Sequence, residues 1–351
     1  MPRQESAAPG RGRPTMRDVA LLAGVAIKTV SRVVNGVPTV DPVLAARVRE
    51  AADKLGYRPN LTASNLRRSD GRTATIGMLV EDAANPFSAA LTRTVENVAR
   101  DRGVLVLVGS LDEDPGRERE LAEALIDRRV DGLVIVPAGH DHSYLIPEQR
   151  AGTALVFVDR GPVALAADAV VSDNRRGAIA AVNHLLAAGH RRIAYLGDRT
   201  SIATAADRYA GYQHALEVAH IELDERIVRH AVAGEPAAIA ATEELLASAE
   251  PPTALFTGQN LITIGASRAL RAMDLQDDVA MVGFDDFPLA DMLRPGVTVV
   301  AQDIEAIGTL AAQILFRRLD GDRSAGTTHT VPTRLLVRGS GEIPLGGFPR
   351  A

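Results

Sequence analysis

Residues 15–36 read TMRDVALLAGVAIKTVSRVVNG. A helical pattern begins at Asp18, with Val19, Leu22 and Ala23 at helical spacing, and is interrupted at Gly24. A second pattern begins near Ala26 and carries Val30, Val33 and Val34 on one face. Two short helices joined by a glycine-containing turn of about three residues make a helix-turn-helix. Glycine suits that turn because it takes positive φ without steric cost. On the second helix Ile27, Lys28, Ser31, Arg32 and Asn35 fall largely off the valine face. A recognition helix has this division, with one side buried and the other offering donors to a major groove. A small amphipathic bundle with solvated charges predicts the same periodicity, so spacing alone leaves both readings open.

Moving outward, a third helix is expected from about Val43 to Leu55. Beyond Arg58-Pro59-Asn60 comes LTASNLRRSDGRT, short enough to be marginal as an isolated helix in water. Charge divides at the same place. Residues 1–72 hold 13 Lys+Arg against 6 Asp+Glu, net +7, which leaves 26 against 38, net −12, for the rest. A compact basic end is the electrostatic footprint of nucleic-acid binding, and an acidic body is repelled from it. Lys28 and Lys54 are the only lysines, which reads as a coding bias toward arginine rather than selection at Lys28.

The 351 residues exceed one ordinary core and predict two or three folding units. With 46% hydrophobic and 24% charged residues the composition is that of a folded globular protein. Cysteine is absent, which removes disulfides, thiolate metal sites, cysteine nucleophiles and cysteine-linked lipids, and a reducing compartment fits best. MPRQESAAPGRGRP has no apolar stretch behind its basic residues, and no later segment approaches the roughly 18 unbroken apolar residues of a membrane span. The expected location is therefore cytoplasmic, with no membrane partner.

From Thr75 short β-rich runs alternate with amphipathic stretches. TIGMLV, VLVLVG, GLVIV, ALVFV, RIAYLG, TALF and VAMVGF read as buried strands; 88–101, 175–188 and 304–318 read as helices. Such alternation implies parallel sheets covered on both faces, and the length fits two. No phosphate-binding loop or serine nucleophile elbow is present. His140 and His142 form H-D-H in an expected solvated loop without a third ligand, and Asp112-Glu113-Asp114 precede a helix whose N-terminus favours carboxylates. No catalytic residue, cofactor or metal site is expected.

The opening string closely resembles the lac repressor family, through Asp18-Val19-Ala20, Ala23-Gly24-Val25, Thr29-Val30-Ser31-Arg32-Val33 and then Leu55-Gly56-Tyr57-Arg58-Pro59-Asn60. In the body, Asn85-Pro86-Phe87, NHLLAAGHRRIAYLGD, Arg208-Tyr209-Ala210-Gly211-Tyr212 and VGFDDFPLADMLRPGVTVVAQD resemble the family's sensor core, which is similar to periplasmic sugar-binding proteins. The resemblance implies a small all-α helix-turn-helix head and an α/β two-lobed core of doubly wound parallel sheets. It divides the chain into a disordered basic arm (1–14), a DNA-binding domain (15–58), a hinge helix or linker (59–73), the core (74–340) and a flexible tail (341–351). The chain would cross between lobes near 172, 302 and 328, giving one lobe of about 74–172 and 302–328 and another of about 173–301 and 329–340.

The same resemblance assigns residues. Thr15, Thr29, Ser31 and Asn35 match positions supporting DNA-backbone contacts, and Ile27, Lys28 and Arg32 match those facing base edges; Tyr57 and Asn60 belong to the DNA-binding string. Phosphate contacts set register and base contacts carry sequence. Ala26 departs from the family's serine at the start of the recognition helix, losing an N-cap and a phosphate ligand. In the hinge, Leu66 matches a leucine that wedges between base pairs in the minor groove, and Ala63 the small residue that lets paired hinge helices approach. In the cleft, Phe87 is expected at the mouth, Asp159 after a strand, Arg208 facing the ligand and Asp285 opposite. Gln259 and Asn260 replace the usual Asn-Asp, and Pro236 stands roughly where relatives often supply a stacking aromatic. The implied partners are a palindromic operator, a small polar effector such as a sugar, and a second copy of the chain. The tail GSGEIPLGGFPRA has too many glycines and prolines for the tetramer-forming helix of some relatives. An extracytoplasmic receptor or a doubly wound enzyme shares this body architecture, but the first needs a secretion signal and the second a catalytic constellation. The expected function is ligand-responsive transcription regulation, most often repression.

Overall fold

Thr15 starts the first helix. Its hydroxyl accepts from the Asp18 amide and donates to the Asp18 carboxylate at 2.7 Å, and that carboxylate also accepts the Thr15 amide at 2.7 Å. This reciprocal box satisfies two otherwise orphaned donors, and sets the start of α1 (Met16–Ala23) earlier than the apolar pattern at Asp18 suggests. Gly24 closes α1 at φ 62°, the left-handed conformation that favours glycine. Helices α2 (Ile27–Val34) and α3 (Pro42–Leu55, capped by Asp41) complete the head. Arg47 of α3 donates to the Ala23 carbonyl at 2.6 Å and ties the third helix to the end of the first. The core is Val19, Ala20, Ala23, Val30, Val48 and Ala51, with Val33, Val34 and Tyr57 packed against it. Leu22 is not part of this core: the inward stripe runs through Val19, Ala20 and Ala23, which turns Leu21 and Leu22 outward.

The computed structural model describes residues 13–34, 37, 39–58 and 72–345, in two compact units that divide at Thr73/Ala74. The expectations for Asn35, Asn60, Ala63 and Leu66 lie outside the described residues.

The larger unit holds two six-stranded sheets. The first contains β1 (Thr75–Val80), β2 (Leu105–Ser110), β3 (Gly132–Ile135), β4 (Ala154–Val158), β5 (Asp168–Ser172) and β11 (Thr328–Val331), in the order β11-β5-β4-β3-β1-β2. The second contains β6 (Ile193–Leu196), β7 (Val228–Arg229), β8 (Ala254–Thr257), β9 (Ala280–Phe284), β10 (Thr298–Ala301) and β12 (Arg334–Leu336), in the order β12-β10-β9-β8-β6-β7. The orders correspond strand for strand. All pairings are parallel except β10 with β12. Alternate residues feed opposite faces: Met78, Val134 and Val156 enter one core, and Leu79, Leu133 and Leu155 the other. A parallel sheet needs this double cover.

Helices α4 (Pro86–Asp101), α5 (Pro115–Asp127) and α6 (Ile146–Ala151) belong to the first lobe, and α7 (Asn174–Ala187), α8 (Ala203–Val218), α9 (Gly234–Leu246) and α10 (Asn260–Ala272) to the second. After β10 the chain returns to the first lobe, where α11 (Ile304–Leu319) packs on α4 and β3–β5. Three crossings result, near 173, 302 and 332. The last differs from the expected 328, because residues 328–331 pair with β5 and so belong to the first sheet.

Three further expectations change. Strand β2 is an edge strand, with Leu105 and Val108 exposed, because only β1 flanks it. His142 is buried rather than solvated: its Nδ1 accepts the Val163 amide at 2.9 Å and its Nε2 lies 3.4 Å from Glu118. Residues 341–345 of the expected flexible tail dock on the second lobe: Glu342 accepts from Thr298 and Gly339, and the Ile343 carbonyl meets His190 Nε2 at 2.9 Å.

Candidate functional site

In the head, Ala26, Ile27, Lys28 and Arg32 stand on the exposed face of α2, while Thr29 and Ser31 are half-buried. Without a side-chain cap at Ala26, the Thr29 and Val30 amides begin the helix on the Ala26 carbonyl, at 2.8 and 3.3 Å. Arg32 Nη2 donates to Thr39 Oγ1 at 2.5 Å, which steadies its guanidinium at the surface. Thr15 caps α1, and Tyr57 packs against the head's core just past α3.

In the larger unit a cleft opens between the lobes. Its walls are built from the C-terminal ends of strands, the place where open α/β sheets put their ligands. Phe87, Asp159, Arg208, Gln259, Asn260 and Asp285 all line it. Asp159 follows β4 and Asp285 follows β9, the equivalent strand of the other sheet. Both take left-handed backbone, φ 69° and 68°, as the chain turns from strand into cleft. Pro236 is not among the lining residues and lies exposed on α9.

Arg208 on α8 is buried and held from four sides. Nε donates to Asn174 at 2.8 Å, Nη1 donates to the Gly258 carbonyl at 2.8 Å and to Asp285 at 3.1 Å, and the guanidinium lies 3.9 Å from the Phe284 ring centre. Such charge-assisted bonds fix a guanidinium in place. The other Asp285 oxygen accepts Gln302 Nε2 at 2.6 Å, and Gln302 Oε1 accepts the Ser172 hydroxyl. Asn174 donates to the Ser172 carbonyl at 3.2 Å, which closes a ring through two of the three crossings.

Asn260 Nδ2 donates to Asn85 Oδ1 at 2.9 Å, so a buried amide pair joins the lobes across the cleft floor. Gln259 caps α10 through the Leu261 amide at 3.0 Å. On the first lobe Arg160 makes a two-pronged pair with Glu113, at 2.6 and 2.9 Å, and its Nε lies 3.4 Å from Asp159. Burial pushes the Asp159 carboxyl above the usual range, against the pull of Arg160 and Arg208. Burial, then repulsion from Glu113, raises Glu81 to about 7.

The model for bacterial regulatory proteins, lacI family, matches residues 15–60, and that for a periplasmic binding protein-like domain matches 182–341. Over 338 residues the chain is 31% identical to the HTH-type transcriptional regulator GalR of Escherichia coli (strain K12), covering 94% of this chain and 96% of that protein. The chain belongs to the lacI family of bacterial regulatory proteins. Among solved structures, the lac repressor dimer bound to operator and the anti-inducer ONPF matches this lacI-family chain at 25% identity and TM-score 0.80, covering 94% and 99% of the two chains. The regulator CelR in complex with cellobiose matches at 32% identity and TM-score 0.68, covering 93% and 100%.

This lacI-family protein is a DNA-binding transcription regulator, as its relatives are. Among the described residues no helix is long and apolar enough to cross a membrane. Its cleft also contains residues to which sequence reading gave no role: Glu81, Asn85, Arg160, Asp198 and Gln302 in the lining, and Asn174 behind Arg208. Four of these, Glu81, Arg160, Asp198 and Gln302, sit one or two residues past a strand end, and Asp198 and Gln302 also fall within strings that resemble the family's core.

Proposed function

We propose that the chain is a cytoplasmic, effector-responsive repressor that reads a palindromic operator as a homodimer. In this reading Ile27, Lys28 and Arg32 face base edges, and Thr15, Thr29, Ser31 and Asn35 position the head on the DNA backbone, while Ala26, Tyr57 and Asn60 belong to the same DNA-binding surface, Ala26 without a phosphate ligand of its own. Ala63 and Leu66 serve the minor groove. A sugar-class effector occupies the cleft against Phe87, Asp159, Arg208, Gln259, Asn260 and Asp285. The observation that carries this is the Arg208–Asp285 pair: it lies in the cleft and is hydrogen-bonded to the crossing at Ser172–Asn174 and the crossing at Gln302. A ligand that takes up either side chain therefore acts on the segments joining the lobes. The cellobiose held by CelR supports a sugar, and the operator-bound lac repressor dimer supports the DNA partner.

The test is operator selection from randomised palindromes with the full chain, followed by a thermal-shift screen of sugars, since a ligand selective for the folded state raises Tm. Calorimetry on Arg208→Ala then locates the site. No selected sequence, or effector affinity unchanged in the variant, would overturn the DNA or the cleft half of the proposal respectively.

A further inference from the structure

The charges lining the cleft are unequal. Four carboxylates, Glu81, Asp159, Asp198 and Asp285, face two cations, Arg160 and Arg208. Neither cation is available as a counter-charge. Arg160 is neutralised by the two-pronged Glu113 pair, with its remaining Nη1 bond to the Pro137 carbonyl at 2.8 Å and its Nε turned to Asp159. Arg208 is neutralised by Asp285, and only its Nη2 has no partner among the described residues. The acids are less well matched. Among the described residues Glu81 makes no hydrogen bond or ion pair through its side chain, and Asp198 accepts only the neighbouring Arg199 amide at 2.6 Å, with Arg199 Nε 4.0 Å away. Glu81 follows β1 in the first lobe and Asp198 follows β6 in the second, so negative charge enters from both walls. Burial first, and then repulsion from Glu113, Asp159 and Asp198, raises Glu81 to about 7.

We propose that the effector carries neither phosphate nor carboxylate: it is an uncharged or amine-bearing sugar, and Glu81 and Asp198 are the residues that exclude anionic sugars. The proposal rests on the cleft being the effector site. A hydroxyl or ammonium can donate to Glu81 and Asp198, which have acceptor capacity to spare. A phosphate brings more negative charge to walls that already repel one another, and the guanidiniums it meets are already matched in charge by Glu113 and Asp285.

The probes are glucose, galactose, ribose and cellobiose; their 6-, 1- or 5-phosphates where these exist; galacturonate; and glucosamine. Each is run by thermal shift and calorimetry against the full chain and the Glu81→Gln/Asp198→Asn double variant. Neither side chain is tied into the fold, so the variant retains its structure. The expected result is binding confined to neutral and amino sugars, with the anionic counterpart of any binder weaker by roughly tenfold or more. The double variant narrows that gap. Inorganic phosphate supplies a readout independent of the right sugar: it should stabilise the double variant more than the wild type. A phosphorylated or carboxylated sugar that binds wild type more tightly than its neutral parent, or phosphate stabilising both proteins equally, overturns the inference. Arg208→Ala separates the two failures. If anion binding disappears in that variant the cleft stands and only the charge argument falls, whereas binding that persists undiminished refutes the cleft itself.

Discussion

Lys28 is exposed on α2, on the face opposite buried Val30, where a compact cation can meet guanine O6 and N7. Lys28→Ala is expected to change which base is preferred at one operator position, costing roughly 1–3 kcal/mol. A binding selection with randomised operators checks it, and an unchanged preference would remove Lys28 from base reading. Glu81 makes a separate prediction about stability. Its carboxyl titrates near 7 in the folded chain against an ordinary 4.5, so the folded state holds the proton more tightly than the unfolded state does. Stability contributed below about 4.5 is then lost as pH rises through about 7. Tm should fall across that window, with a shallower slope in Glu81→Gln, and parallel slopes would rule Glu81 out as the cause. Arg208 and Asp285 were legible in the sequence because RYAGY and VGFDD are distinctive strings. Glu81 and Asp198 were not: their role arises only when two strand ends, more than a hundred positions apart in the chain, are brought to one cavity.

At the scale of elements, the glycine of RYAGY explains how α7 and α8 lie so close. A Cβ at Gly211 would come within 2.5 Å of the Arg175 carbonyl oxygen and 2.7 Å of Ala178 Cβ, so any side chain must force the helices apart. Gly211→Ala is expected to destabilise the larger unit by about 1–3 kcal/mol, the usual cost of overfilling a packed contact. Because Arg208 lies one turn earlier on the same helix, effector affinity should fall as well, while the head's DNA contacts are untouched. Denaturant melts followed by tyrosine fluorescence, together with calorimetry, test both parts; a variant as stable as wild type would show that the contact yields without cost. Hydrophobic periodicity marked seven of the twelve described strands but left β5, β7, β10, β11 and β12 unread, and two segments that it did read sit differently in the structure. The exceptions have physical causes: β2 is as apolar as its neighbours but sits at an edge, and residues 341–345 look like a flexible tail yet find acceptors and donors on the second lobe. Position in a sheet and docking of a tail are tertiary facts that local pattern does not encode.

The whole larger unit is one sheet plan used twice, and its two lobes are joined where the chain passes between them and by the Asn85–Asn260 pair. The ring of Ser172, Gln302, Asp285, Arg208 and Asn174 spans the first and second crossings and borders the cleft. Effector binding can shift the lobes only as far as it favours one arrangement over the other, and this ring is where such a difference would be felt. Gln302→Ala removes the link from Asp285 to Ser172 but leaves the Arg208–Asp285 pair and its Asn174 anchor in place. Coupling between effector and operator in proteins of this kind of two-state design typically amounts to about 5–150-fold. In Gln302→Ala that factor is expected to shrink toward one, with operator affinity in the absence of effector little changed. The check is a closed thermodynamic cycle: operator Kd with and without effector, and effector Kd with and without operator, which must give the same factor in both directions. If the variant loses effector affinity equally for free and operator-bound protein, Gln302 acts only as a ligand contact. If the full factor survives, the coupling runs through the third crossing or the Asn85–Asn260 amide pair instead.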